Sequence, residues 1–340
     1  MQNKQFPFQV PDALHDCLNN LGHFIYYPNP GNLGDGLIAA STVSLFERMG
    51  LSYELYDERK HKHESFTLVY GGGGACVPEW GYLPQLQRVF SLPGLVRCII
   101  LPNSMRECFG VIELMDDRFT VFCRESRSLA YCLGINKRAL FLPADDMAFY
   151  FSPLLMRPLD LFLARHPRPS FVGFCLAKYF GFRKKPVLSL AKFYRKTYDR
   201  MRRHLKQHVQ FLPDGRRYAW FLRRDQERNP IIRDRLPKIG LMDIARYGGG
   251  DCRWHDLNMM DVSLFLEAID SADVVITDRL HVGIAAAMLE KEVFLLDNSY
   301  GKIAGVYEYS MQQLLHVHFC HSCEELQDRL QQISGNSILL

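Results

Sequence analysis

From residue 23 to about 150, short apolar runs alternate with stretches of helical periodicity, and glycine or proline punctuates the joins. The runs predict strands over His23 to Tyr27, Tyr53 to Tyr56, Thr67 to Tyr70, Val96 to Leu101, Thr120 to Cys123 and Leu140 to Leu142. Helices are expected over Gly36 to Met49 and Glu125 to Leu133. Strands that alternate with helices need crossover connections, so the expected fold class is α/β with a parallel, doubly wound sheet. Ligands then belong at the carboxyl ends of the strands. After residue 150 the pattern changes: Phe171, Phe174, Tyr179, Phe180, Phe182 and Phe193 are interleaved with Arg183, Lys184, Lys185, Arg195, Lys196, Arg202 and Arg203. This predicts one or two amphipathic basic helices. Alternation resumes with strands over Tyr218 to Leu222, Val274 to Thr277 and Val293 to Leu296, and helices over Val262 to Ser271 and Leu280 to Leu289.

The expected organisation is an N-terminal Rossmann-like domain over 1–150, a basic connector over 151–215, and a C-terminal Rossmann-like domain over 216–340. The last helix is expected to pack back on the first domain, and the two sheets to face a cleft. A chain of 340 residues with 48% hydrophobic content can bury two cores of ordinary domain size. The longest apolar stretches, Ala285 to Leu289 and Val293 to Leu296, are too short for the roughly 20 residues of a membrane span. The start of the chain lacks a signal peptide's apolar core, so a cytoplasmic location is expected.

Charge changes the picture only locally. The net charge of +4 argues against a general nucleic-acid binder, yet the thirteen basic residues between Arg165 and Lys206 face one acid, Asp199. Residues 171–206 are therefore expected to lie against anionic lipid at the inner face of the membrane, or to form a solvated basic pair of helices bridging the domains. Ten cysteines in so long a chain, with Cys98, Cys123 and Cys175 inside apolar runs, read as buried thiols. The cluster His316, His318, Cys320, His321 and Cys323 lacks a second ligand pair at finger-like spacing, so no metal is expected. It reads instead as a strand, Leu315 to Cys320, and a helix capped by Ser322 with Glu325.

Four segments carry chemistry. Pro30-Gly31-Asn32-Leu33-Gly34-Asp35-Gly36 joins a strand to a helix, whose free N–H groups suit a polar or anionic ligand. Asp35 is there either a functional carboxylate or a helix cap. Gly71 to Gly74 ends the next strand, and close approach of a ligand or loop explains four consecutive glycines. Trp80 and Tyr82 follow it, as sugar platforms or packing residues. Arg124 and Glu125 end a third strand, where Arg124 can grip a carboxylate or phosphate or form an internal salt bridge, and Asp145 and Asp146 end a fourth. In Thr277-Asp278-Arg279-Leu280-His281, two potential cations open a helix of small residues. Cations there oppose the helix dipole, so a bound anion is expected above it.

These segments, in this order over residues 25 to 300, resemble the motifs of the polysaccharide pyruvyl transferase family, with Arg279-Leu280-His281 the most diagnostic. The resemblance implies a fold similar to the glycosyltransferases of the GT-B type. It also implies transfer of pyruvate from phosphoenolpyruvate to a sugar as a ketal, with phosphate released and no cofactor. Arg279, His281 and the backbone of Leu280 would hold the donor on the C-terminal domain, and Arg124 would reach it from the acceptor domain. Asn32, Gly34, Gly72, Gly73 and Glu125 complete the implied substrate-binding set. His281 is the expected general acid, because an imidazole titrates near neutral pH. Asp35 or Asp145 would take a hydroxyl proton. The expected partners are phosphoenolpyruvate and a saccharide that is lipid-linked, nucleotide-linked or polymeric. A nucleotide-sugar glycosyltransferase, with Asp297 on the ribose, and a non-catalytic subunit of polysaccharide assembly are the rival readings.

Overall fold

The structure, a computed structural model, describes residues 8–29, 31–61, 64–151, 209–223, 225–229 and 255–334. The basic segment 171–206, and with it the expected membrane contact, lies outside the described residues. After helix α1 (Asp12–Asn19), the first half places six parallel strands in the order β2-β1-β3-β4-β5-β6. They are β1 (Phe24–Tyr27), β2 (Tyr53–Leu55), β3 (Phe66–Tyr70), β4 (Leu95–Asn103), β5 (Phe119–Cys123) and β6 (Leu140–Pro143). Helices α2 (Leu33–Arg48), α3 (Glu58–His61), α4 (Leu83–Phe90), α5 (Phe109–Ile112) and α6 (Ser126–Ile135) lie between them. Burial on both faces explains why the inner strands β1, β3, β4 and β5 read as nearly unbroken apolar runs.

The second half builds a five-stranded sheet in the order β11-β10-β9-β8-β7. Its strands are β7 (Gln210–Phe211), β8 (Arg217–Phe221), β9 (Val274–Thr277), β10 (Glu292–Leu296) and β11 (Val317–Cys320). All pairings are parallel except the short β7–β8 hairpin, which the sequence pattern does not reveal because β7 has two residues. Helices α7 (His255–Asp270), α8 (Leu280–Met288), α9 (Lys302–Val306) and α10 (Cys323–Ser334) complete it.

One hydrophobic cluster runs continuously between the two sheets. It takes Phe24, Tyr26, Val69 and Ile99 from the first sheet, Phe221, Val275, Val293 and Leu295 from the second, and Leu37, Phe46, Phe265 and Ala285 from the helices between. Gly36 lets α2 approach α7, since a Cβ there would lie 3.2 Å from Val262 Cγ2. Separate clusters cover the outer faces of the sheets. Helix α10 packs on the outer face of the second sheet through Leu326 and Leu330, and does not return to the first sheet as expected. Ser322 accepts from the Glu325 N–H at 3.1 Å and so caps α10, the role expected for it. His316 sits 3.0 Å from the Ala287 carbonyl and His318 pairs with Glu292. No helix among the described residues is long and apolar enough to cross a membrane.

In the first sheet the strand order reverses direction between β1 and β3. Ligands of such sheets bind at the carboxyl ends of the strands beside this reversal, and here the loops after β1 and β3 meet, the Cβ position of Gly73 being 2.9 Å from Asn29 Nδ2. The two glycine segments occupy that position.

Candidate functional site

The loop after β1 is organised by a reciprocal cap. Asn32 Oδ1 accepts from Gly34 N at 2.8 Å, and Asp35 Oδ2 accepts from Asn32 N at 3.0 Å. Helix α2 thus begins at Leu33 rather than Gly36, and Asp35 has a capping role. Its other oxygen accepts from Asn29 Nδ2 at 3.3 Å, and Asn29 in turn accepts from the buried Tyr70 hydroxyl at 2.9 Å. Burial pushes the Asp35 carboxyl up, while His281, the Asn32 N–H, Lys302 and Arg124 pull it back. His281, Lys302 and Arg124, from distant segments, thus all lie within electrostatic reach of this one carboxyl. Gly31 leaves the space that the Asp35 carboxylate fills, since a Cβ there would lie 1.9 Å from Asp35 Oδ2.

The tetraglycine is close-packed for the reason its composition predicts. A Cβ on Gly72 would approach the Pro102 carbonyl to 2.9 Å, and Gly73 has φ +128° with a Cβ position 2.9 Å from Asn29 Nδ2. The neighbour that requires glycine is thus another loop of the protein. Gly74 lies beside Arg124, 3.6 Å from Nη2 by the same measure.

Arg124 is fully buried just past the end of β5. Its Nε donates to Ser104 Oγ at 2.9 Å and its Nη1 to Asp146 Oδ2 at 2.6 Å, the internal salt bridge that was the alternative reading. Burial opposes ionisation of Asp146, but Arg124 and then His281 hold its carboxyl well below the usual range. The Glu125 carboxylate accepts both the backbone N–H and the hydroxyl of Ser128, and caps α6. Asp145 accepts from Ser310 Oγ at 2.7 Å, which ties the first half to the second. Burial raises its pKa, with the Ser310 bond working against that.

The start of α8 departs most from expectation. Arg279 is the N-cap residue, only 4% exposed, and its Nη2 donates to Asp225 Oδ2 at 2.8 Å. His281 Nε2 lies 3.5 Å from Asp146 Oδ2. The protein's own carboxylates therefore balance charges that were expected to await a bound anion. Leu280 is buried in the first turn of α8. The ring of His281 rests on the backbone of α2, because a Cβ on Gly34 would fall 2.3 Å from His281 Nδ1. This contact joins the two most informative sequence motifs.

Sequence reasoning missed a second group of residues. Glu227 is fully buried and accepts from Trp80 Nε1 at 2.9 Å, Tyr300 OH at 2.8 Å and Lys302 Nζ at 2.7 Å, and it pairs with Arg223. Arg223 Nε also donates to Asp225 Oδ1 at 3.0 Å, so Asp225 links Arg223 to Arg279. Trp80 thereby bridges the loop after β3 to the second half. Glu79 strengthens this bridge by pairing with Arg106, whose guanidinium lies 4.5 Å from the Tyr300 ring centroid. The available signal was the alternation Arg223, Asp225, Glu227 just past the end of a buried strand. Tyr82 is half-buried and lies near enough to Asp35 for that carboxyl to raise the phenol's pKa, after burial.

A crystal structure of an uncharacterized protein from Klebsiella pneumoniae subsp. pneumoniae NTUH-K2044 is similar over 92% of this chain and 97% of that one, with a TM-score of 0.63 and 25% identity. No curated protein matches the chain. The polysaccharide pyruvyl transferase family matches residues 32–300, a span holding both glycine segments, Arg124, Asp146, Glu227 and His281. The chain belongs to the polysaccharide pyruvyl transferase family.

Proposed function

We propose that the protein transfers pyruvate from phosphoenolpyruvate to two hydroxyls of a saccharide, forming a cyclic ketal and releasing phosphate. What supports this reading, beside the family, is the seating of the His281 ring against Gly34 at the start of α2, with its Nε2 3.5 Å from the Asp146 carboxylate that Arg124 also pairs with. The donor brings a carboxylate and a phosphate, and a group of cations drawn from both halves suits it. The two sheets act as GT-B-like layers, with the donor against the second and the saccharide against the first.

His281 protonates the methylene carbon of the enol, and the C2 cation that results is attacked by the first sugar hydroxyl. Breaking the C2–phosphate bond regenerates a cation that the second hydroxyl captures. The two hydroxyls together release two protons: one replaces the proton that went to carbon and the other leaves with phosphate. Asp146, held ionised by Arg124, orients the imidazole, so Arg124 is a positioning residue. Arg279, fixed by Asp225, takes the donor carboxylate together with the Leu280 backbone. Asp35 and Asp145 are the candidate proton acceptors, and Asn32, Gly34, Gly72 and Gly73 shape the acceptor edge. The protein works on the cytoplasmic side, where phosphoenolpyruvate is made, and residues 171–206 bring it to a lipid-linked acceptor at the membrane.

Incubation with phosphoenolpyruvate and a panel of glycan acceptors gives acceptor-dependent phosphate release on this account. Release of a nucleoside diphosphate from a nucleotide sugar would replace it with glycosyl transfer. In His281→Ala, turnover falls by about 10²- to 10⁴-fold while donor binding stays within about tenfold. Equal loss of both would make His281 a binding residue only.

A further inference from the structure

Tyr82 stands at the N-terminus of α4, and the backbone on either side of it is tied down. Before it, Trp80 Nε1 donates to Glu227 at 2.9 Å, the Glu79 carbonyl accepts from Gln226, and the Glu79 carboxylate pairs with Arg106. Gly81 turns the chain at φ +69°, and its N–H donates to the Pro78 carbonyl at 3.1 Å. The Tyr82 carbonyl then accepts the Leu86 N–H at 3.0 Å and joins the residue to α4. The side chain is not held in the same way. Its ring is half-buried against the cluster on the outer face of the first sheet, yet among the described residues it has no aromatic stacking partner and its hydroxyl makes no hydrogen bond. Its neighbours at this edge differ, since the Tyr27 hydroxyl accepts from Gln85 and the Tyr70 hydroxyl donates to Asn29 at 2.9 Å. The field of Asp35 reaches both Tyr70 and Tyr82, which places the free phenol beside the loops after β1 and β3. Burial and then Asp35 raise its pKa, so the hydroxyl keeps its proton and can donate.

We propose that Tyr82 is an acceptor-binding residue, whose ring carries the face of a neutral pyranose and whose hydroxyl bonds a hydroxyl of that sugar. A fixed backbone under an aromatic side chain with an unpartnered polar tip suits binding, because a tyrosine offers a large contact area at low entropic cost. A pyranose matches both features, with a face of C–H groups and a rim of hydroxyls that donate and accept as the phenol does. The charge around the position selects the class of ligand. Asp35 is the one charged group among the described residues whose field is felt at the phenol, and a carboxylate without a cation beside it disfavours an anion. Phosphoenolpyruvate is thereby kept from this position and an uncharged sugar is not. The inference rests on the pyruvyl-transfer reading, which supplies the need for a saccharide at this edge.

The test uses the full chain, with saturation-transfer NMR of the methyl glycosides of glucose, galactose and mannose, and calorimetric titration of phosphoenolpyruvate. The wild type transfers saturation to the ring C–H protons of at least one of these sugars. Tyr82→Ala weakens the binding of that sugar by at least about tenfold, whereas Tyr82→Phe keeps the ring and weakens it by about three- to tenfold. Phosphoenolpyruvate affinity stays within about twofold in both variants, since neither change touches the donor. Thermal melts show whether Tyr82→Ala is folded; if it is not, Tyr82→Phe decides alone. No saturation transfer in the wild type, unchanged sugar binding in the folded variants, or a parallel loss of phosphoenolpyruvate binding would overturn the role of Tyr82. Failure of the pyruvyl-transfer reading looks different: a wild type that binds the sugar through Tyr82 but neither binds phosphoenolpyruvate nor releases phosphate from it would overturn the reaction and leave the sugar contact standing.

Discussion

The loops at the carboxyl edge of the first sheet and the ionic cluster of the second are held together by different physics. Around Asn32 and Asp35 the partners are close in sequence and mostly neutral: one asparagine, one carboxylate and backbone N–H groups close the loop on itself. Around Glu227 two of the four partners are charged, and they come from three segments far apart in sequence, carrying Trp80, Arg223, and Tyr300 with Lys302. A local, neutral network forms with its helix and changes little with conditions. A long-range ionic network forms only when the whole chain has folded, and then depends on every member being present. The shaping of the site belongs to the first region, and its charge belongs to the second.

The difference can be broken or sharpened by substitution. Glu227→Gln leaves Lys302 and Arg223 short of a buried counter-ion and should destabilise the protein by about 3–5 kcal/mol, read by urea unfolding. Burial opposes the Glu227 charge, but Lys302 and Arg223 hold its carboxyl well below the usual range. Its stabilisation is therefore present above the unfolded-state value of about 4.3 and is lost as pH falls through the folded one. The wild type should lose stability in that acidic window, and Glu227→Gln should lose less. Gly34→Ala tests the contact between the regions. Its new Cβ would displace the His281 ring, so activity should fall on the order of 10- to 100-fold while the melting temperature holds, because alanine suits a helix. Asp35→Asn keeps a carbonyl oxygen for the Asn32 N–H and should destabilise by only about 1–2 kcal/mol. If it proves as damaging as Glu227→Gln, the contrast between the regions is wrong.

The same contrast explains what could be read from the sequence. Strands β1, β3, β4, β5, β9 and β10 are visible because parallel strands buried on both faces leave apolar runs between glycine-marked turns. The capping role of Asp35 was legible as one of two readings, since its partner Asn32 is three residues away. The compensation of Arg279 was not: Asp225 lies 54 residues before it, and nothing local marks the pair. The junction is unusual, as the helix dipole suggests, and Asp225 pairs with Arg279 there. The cap that Glu125 gives α6 is a local feature, since its partner Ser128 lies three residues on. Trp80 sits between the two cases, with an aromatic face that suggested a sugar and an indole N–H that reaches Glu227 across 147 residues of sequence.

The central claim is that a proton delivered to the methylene carbon of phosphoenolpyruvate starts the reaction. Proton and carbon NMR of the product formed in D2O from donor, acceptor and wild-type protein tests it most directly. The account predicts a new ketal methyl group on the saccharide that carries a single deuteron, together with phosphate in equal amount. Phosphate accompanied by free pyruvate, or a saccharide without the methyl signal, would contradict it.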